Sequence, residues 1–227
     1  MKEISTVFLK QVKDTLGNKT VLIQFILFPV MAVIMQNAVN IPDMPENFFV
    51  KLFSVMYIGM APLTAMSAVI SEEKEKNTLR ALKMSGVSGI QYLIGTGTYV
   101  FIMCMAGTAV FAASGGFTGT GLIRYFLIMS AGTIVSLILG GAVGISSANQ
   151  MSAASVSVPV TMVLSFLPML SNFNEKIKAA ADYFYPQQIS LLINGADADL
   201  KCIAVTTAEA LIILGFFMIS YRKRGLE

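Results

Sequence analysis

Six long apolar stretches separated by short polar segments dominate the chain. They fall at about residues 20–40, 49–70, 92–113, 122–147, 152–170 and 201–221. About 20 apolar residues in helical form cross a ~30 Å hydrocarbon core, so the pattern predicts six membrane-spanning helices. The first stretch is too long for a signal-peptide core and is expected to stay in the mature protein. Pro29 is expected to kink it, and Pro62, Pro159 and Pro168 interrupt the second and fifth. In the fourth, Gly140 and Gly144 have the small-xxx-small spacing that lets helices approach closely.

The polar segments have patterns of their own. Ahead of the first span, Ile4, Val7, Phe8, Val12 and Leu16 recur at helical spacing, with Lys2, Lys10, Lys13 and Lys19 off that stripe. This is an amphipathic helix suited to the headgroup layer. Residues 41–48 read as a short outer loop, and Ser114 to Gly121 as a turn. Between the last two spans, Ile177, Ala180, Ala181 and Phe184 lead into Tyr185-Pro186, and Ile189 to Ile193 form a second apolar patch closed by Asn194-Gly195. These pieces are too short to span and are expected to dip into the outer leaflet or lie on it.

The largest polar island runs from Ser71 to Gln91, with all seven of its charges between Glu72 and Lys83. No charge lies between Lys51 and Glu72, or between Lys83 and Arg124. Asn77 is expected to N-cap a short helix through Met84, with Glu72, Glu73 and Glu75 ahead of it and Gly86 as a left-handed stop. Ser88 and Gln91 have capping-box spacing, which starts the third span. Leu79 and Leu82 share one face of the short helix, and an exposed leucine pair ringed by charges suits a groove on another protein. A solvated loop helix lying on headgroups is the plainer reading.

Composition agrees with a membrane domain. Charged residues are 13% of 227 and hydrophobic residues 55%, with a mean hydropathy of +0.71, whereas soluble domains are roughly 25% charged. With both termini in the cytosol, eleven Lys and Arg lie inside and five outside (Lys51, Arg124, Lys176, Lys178, Lys201), which sets that orientation. A net charge of +3 without a basic, aromatic-interleaved patch gives no support for nucleic-acid binding.

Candidate chemistry is sparse. With no histidine, the commonest general base and metal ligand is missing. The chain has no phosphate-binding Gly-x-x-x-x-Gly-Lys-Ser/Thr loop, no Gly-x-Ser-x-Gly elbow and no metal-ligand spacing around Cys104 or Cys202. A disulfide between those cysteines is not expected. Glu209 is the one ionisable residue well inside a span, and such a residue marks an ion or substrate route or pairs with a neighbouring helix. Both readings stay open, the second with Thr206, Thr207 or another helix as partner.

The series Glu73, Thr78, Leu79, Leu82, Ser85 and Ser88 resembles the segment between spans two and three in the membrane subunits of type-2 ATP-binding-cassette exporters. The N-terminal amphipathic helix, the six spans, the short outer helices and Tyr185-Pro186 are similar to that family as well. Asn77, Arg80 and Ser85-Gly86 depart from its usual Gly, Glu and Thr-Pro. The resemblance implies one domain over residues 1–227: an all-α polytopic membrane protein with a cytosolic coupling helix. It implies a permease that is not itself an enzyme, with ATP and Mg bound by a partner ATPase subunit. Glu72, Glu73, Glu75, Thr78, Leu79, Arg80, Leu82, Lys83 and Ser85 would couple to that partner. A second permease subunit, identical or not, would complete the unit in a bacterial plasma membrane. The family's path, lined by spans two and five, would put Met60, Pro62, Met66, Val160 and Leu164 beside it, with Glu209 a further candidate. The cargo expected is an amphipathic or hydrophobic peptide, bacteriocin or drug. A non-transporting immunity or sensor protein is the alternative.

Overall fold

A computed structural model describes residues 2–17, 19–39, 44–196 and 200–224. Ile41, Pro42 and Asp43 of the expected outer loop, and the side chains of Lys2, Leu16 and Lys19, lie outside the described residues. The described residues form helices joined by short turns, with no strand among them. In chain order the helices are α1 (Lys2–Gly17), α2 (Lys19–Ala38), α3 (Phe48–Glu75), α4 (Thr78–Met84), α5 (Gly89–Ser114), α6 (Gly119–Ser146), α7 (Gln150–Ser171), α8 (Glu175–Ala181), α9 (Tyr185–Ile193) and α10 (Leu200–Arg224). Six of them, α2, α3, α5, α6, α7 and α10, are long and apolar enough to cross a membrane. The chain is thus built as a multi-pass membrane protein.

The centre of the bundle is α3. It packs against α2, α4, α5, α6, α7 and α9 and is buried over most of its length. The expected second span ended near residue 70, but the helix continues to Glu75. Its 28 residues at 1.5 Å each reach about 42 Å, beyond the ~30 Å apolar layer. Glu and Lys are good helix formers, so the first charges of the polar island prolong the rod rather than break it.

The closest packing is between α3 and α6. A Cβ added at Gly140 would lie 2.5 Å from the Leu63 carbonyl oxygen, and one at Gly144 would lie 2.9 Å from Ile70 Cβ. The small-residue pair therefore works as its spacing predicts. Ser136, one turn before Gly140, adds a polar contact on the same face.

Pro62 lies inside α3. Without an N–H it leaves the Ile58 carbonyl, four residues back, short of its helical donor. The Ser136 hydroxyl of α6 donates to that carbonyl at 2.6 Å and lies 2.6 Å from the Tyr185 hydroxyl of α9. The Tyr185 backbone N–H in turn donates to the Glu209 carboxylate of α10. One chain of hydrogen bonds thus joins α3, α6, α9 and α10 inside the apolar bundle.

The two short helices between the last spans differ. Most of α8 is exposed, whereas α9 is inserted among α3, α6, α7 and α10, with Tyr185, Gln188 and Ile189 buried. The Tyr185 hydroxyl reaches the level of Ile58, about 15 Å along α3 from its start by helical rise, and the Tyr185 backbone N–H meets Glu209, nine residues beyond the first residue of α10. A backbone can re-enter at this depth only where protein surrounds it. The deep N-terminus of α9 is held by Glu209, and a carboxylate there also suits the helix dipole. Of the two readings of Glu209, the structure favours pairing with a neighbouring element, and the partner is the Tyr185 amide rather than Thr206 or Thr207.

A glutamine amide oxygen can still accept the Tyr185 N–H, but a leucine cannot. Glu209→Leu is expected to lower unfolding stability in mixed micelles by about 1–3 kcal/mol, the cost of a buried donor left unpaired. Glu209→Gln is expected to lose well under half of that.

Candidate functional site

The polar island folds as two elements and a hinge. Asn77 was expected to cap α4 through its side chain. It makes no such bond and adopts a left-handed backbone, φ 56°, a conformation asparagine tolerates better than most residues. The Lys76 N–H donates to the Glu72 carbonyl, the Asn77 N–H to the Lys74 carbonyl and the Thr78 hydroxyl to the Glu73 carbonyl, so this turn terminates α3. At the far end of α4, Gly86 has φ 90° as expected. Ser88 and Gln91 form the reciprocal capping box, which starts α5 at Gly89 rather than at Tyr92.

Glu72, Glu73 and Glu75 belong to the last turns of α3. Carboxylates there oppose the negative C-terminal end of the helix dipole, so their partners matter. Glu73 is 5% exposed and accepts from Lys10 Nζ at 2.5 Å and Gln11 Nε2 at 2.5 Å, both on α1. Glu72 pairs with Lys76. Glu75 accepts the Gln150 N–H at 3.0 Å at the start of α7, while the Lys74 ammonium donates to the Ile145 carbonyl of α6 at 2.8 Å. The acidic stretch expected to meet a partner thus ties the end of α3 to α1, α6 and α7. Desolvation alone would depress the Lys10 pKa, but hydrogen bonds to Asp14 and Glu73 outweigh it and hold the ammonium above its ordinary value. This contribution is complete below the unfolded value near ~10.4 and fades only as pH rises through the raised folded value.

The expected exposed leucine pair is not found. Leu79 is 3% exposed and belongs to the hydrophobic core, and Leu82 is half-buried against that core. The spacing that puts both leucines on one face also lets that face hold α4 to its own bundle. The outward face carries Arg80, Ala81, Lys83, Met84 and Ser85, with Met84 78% exposed. Thr78 is half-buried.

α1 does not simply float on the surface. Its buried stripe is Val7, Gln11 and Thr15, and Gly95 of α5 sits so close that a Cβ there would lie 2.9 Å from Val7 Cβ. Ile4, Phe8 and Val12 are half-buried. Beside it, a charged cavity of about 670 Å³ opens between α1 and the end of α3, lined by Lys10, Asp14, Glu72, Glu73, Lys76 and Thr78. The Lys10, Gln11 and Glu73 junction escaped the sequence reading. Its one trace was polar Gln11 and Thr15 spaced four apart from Val7.

The path candidates lie along α3 and α7. Pro62, Met66 and Leu164 are buried inside the chain, and Met60 and Val160 are half-buried. α3 and α7 meet where a Cβ at Gly59 would lie 3.0 Å from the Ser165 backbone and the Ser165 hydroxyl donates to the Met56 carbonyl at 3.0 Å. Met66 reaches an apolar groove beside α10. Cys104 and Cys202 are buried and unpaired, as expected. Among the described residues, no group of three His, Cys, Asp or Glu could hold a metal ion.

A scan against protein-family models finds no match, and a search of curated proteins finds no significant relative.

Replacing the charged acceptor of Glu73 by an amide removes the ion pair to Lys10 without creating a cavity. Glu73→Gln is expected to speed amide hydrogen exchange across residues 4–15 by roughly five-fold or more, as loss of about 1–3 kcal/mol requires. Lys76→Gln, at an exposed pair, is expected to leave exchange in α1 unchanged.

Proposed function

We propose that the chain is the permease subunit of an ATP-binding-cassette exporter, driven by a separate ATPase subunit. The observation that carries this reading is the placement of α4. It is a two-turn helix between two spans, clamped to the bundle by Leu79 and presenting Arg80, Ala81, Met84 and Ser85 outward. It follows α3 through one turn, and α3 touches most other helices. Force applied to α4 therefore reaches the centre of the bundle directly. The resemblance over residues 73–88 and the re-entrant α9, which begins with Tyr185-Pro186, point the same way.

In this reading α4 faces the cytosol, as the Lys and Arg distribution indicates. A partner closing on ATP presses Arg80 and Met84, and α3 carries the displacement to α6 and α7. Two permease subunits would enclose the path between them, with Met60 and Val160, the half-buried members of the candidate set, nearer to it than Pro62 or Leu164. The apolar faces favour amphipathic or hydrophobic cargo.

The partner contact is tested on the outward face of α4, because Leu79→Asp would place a charge in the core. The tagged chain, purified from its own host's membranes in mild detergent, is expected to retain vanadate-sensitive ATPase activity. Arg80→Glu combined with Met84→Asp is expected to lower the retained activity by roughly ten-fold or more, equivalent to about 1.4 kcal/mol of contact energy. Activity that is absent from the wild-type preparation, or unchanged by the double substitution, contradicts the reading.

A further inference from the structure

An apolar groove of about 500 Å³ runs between α5 and α10, within the roughly 300–1,000 Å³ of ordinary ligand pockets. Met66 of α3 and Ile138 of α6 form its floor, Leu93 and Gly97 of α5 one wall, and Phe217 and Tyr221 of α10 the other. α10 packs on α6 and α9, and the groove separates it from α5. A ligand seated there must be apolar along its body, because a polar chain would lose its hydrogen bonds to water without replacement.

Gly97 keeps the groove open. A Cβ at nearby Gly95 would collide with α1, but a Cβ at Gly97 would meet only Met66 Cε, at 3.9 Å. Helix packing does not require glycine at 97, and glycine is a poor residue for a helix interior. Its missing side chain leaves space that the fold itself does not use.

The groove follows the first turns of α5 and the last turns of α10, so it lies at the α4 end of the bundle. Arg222 stands one helical turn beyond Met218, which lines the groove, and so shares its face. Arg222 and Lys223 are exposed. An apolar slot with cations at its interfacial end is complementary to an acyl chain joined to a negative headgroup. We propose that this groove binds one acyl chain of an anionic phospholipid, whose headgroup is held by Arg222.

Native mass spectrometry of the full chain tests this, with phosphatidylglycerol and phosphatidylcholine of identical acyl chains as probes. Wild type is expected to hold one phosphatidylglycerol about ten-fold more tightly than phosphatidylcholine, as charge pairing at an interface allows. Gly97→Leu, which fills the groove, is expected to weaken that binding by about ten-fold or more while its thermal midpoint is unchanged or raised. Arg222→Gln is expected to bring the two lipids to equal affinity. Equal binding of both lipids to wild type overturns the proposal, as does undiminished phosphatidylglycerol binding to folded Gly97→Leu. An uncharged long-chain alcohol that binds as tightly as phosphatidylglycerol does so too. Should Gly97→Leu not fold, an unchanged lipid preference in Arg222→Gln overturns it.

Discussion

A proline in the most deeply packed helix leaves one backbone carbonyl without its donor, and the arrangement of four helices follows from how that carbonyl is satisfied. In a bilayer no water is at hand, and an unsatisfied backbone group costs several kcal/mol. Ile58 takes its hydrogen bond from Ser136, which also meets the Tyr185 hydroxyl. Tyr185 can reach Ser136 only because α9 enters the bundle, and α9 can enter because Glu209 accepts the amide at its deep end. Each polar group in the series is placed where the previous one needs it. The close approach at Gly140 brings α6 near enough to α3 for Ser136 to serve.

This packing fixes α3 at two levels. It is held toward its middle by Ser136 and α7, and its C-terminal end passes beyond the apolar layer into a junction of ion pairs. Glu73, Lys74 and Glu75 bind that end to α1, α6 and α7. A left-handed Asn77 then turns the chain into α4. The residues that look like a docking motif in sequence are thus divided between holding the bundle together and facing outward.

Apolar run length made the six spans legible, and they are where they were expected to within a few residues. The one large difference, the extension of α3 to Glu75, arose because charge marks the limit of the apolar layer but not the end of a helix. The Ser88–Gln91 box and Gly86 were readable because their chemistry is local. Leu79 was misread because spacing gives the face of a helix but not what that face meets. Gln11 and Ser136 were invisible for the same reason, and Tyr185 was legible only within Tyr185-Pro186 and not as a polar tie, since their partners lie 62, 78 and 24 residues away. Gly140 and Gly144 were legible as a close approach, but not as one directed at Leu63 and Ile70.

The proposed coupling depends most on what Met84 touches in the membrane. A photo-reactive amino acid at position 84, activated in native membranes, tests it directly. If α4 is the coupling helix, the chain forms a cross-linked adduct with a nucleotide-binding subunit, changed in yield when ATP is trapped with vanadate. Adducts to lipid or to another copy of this chain alone, indifferent to ATP, would contradict it.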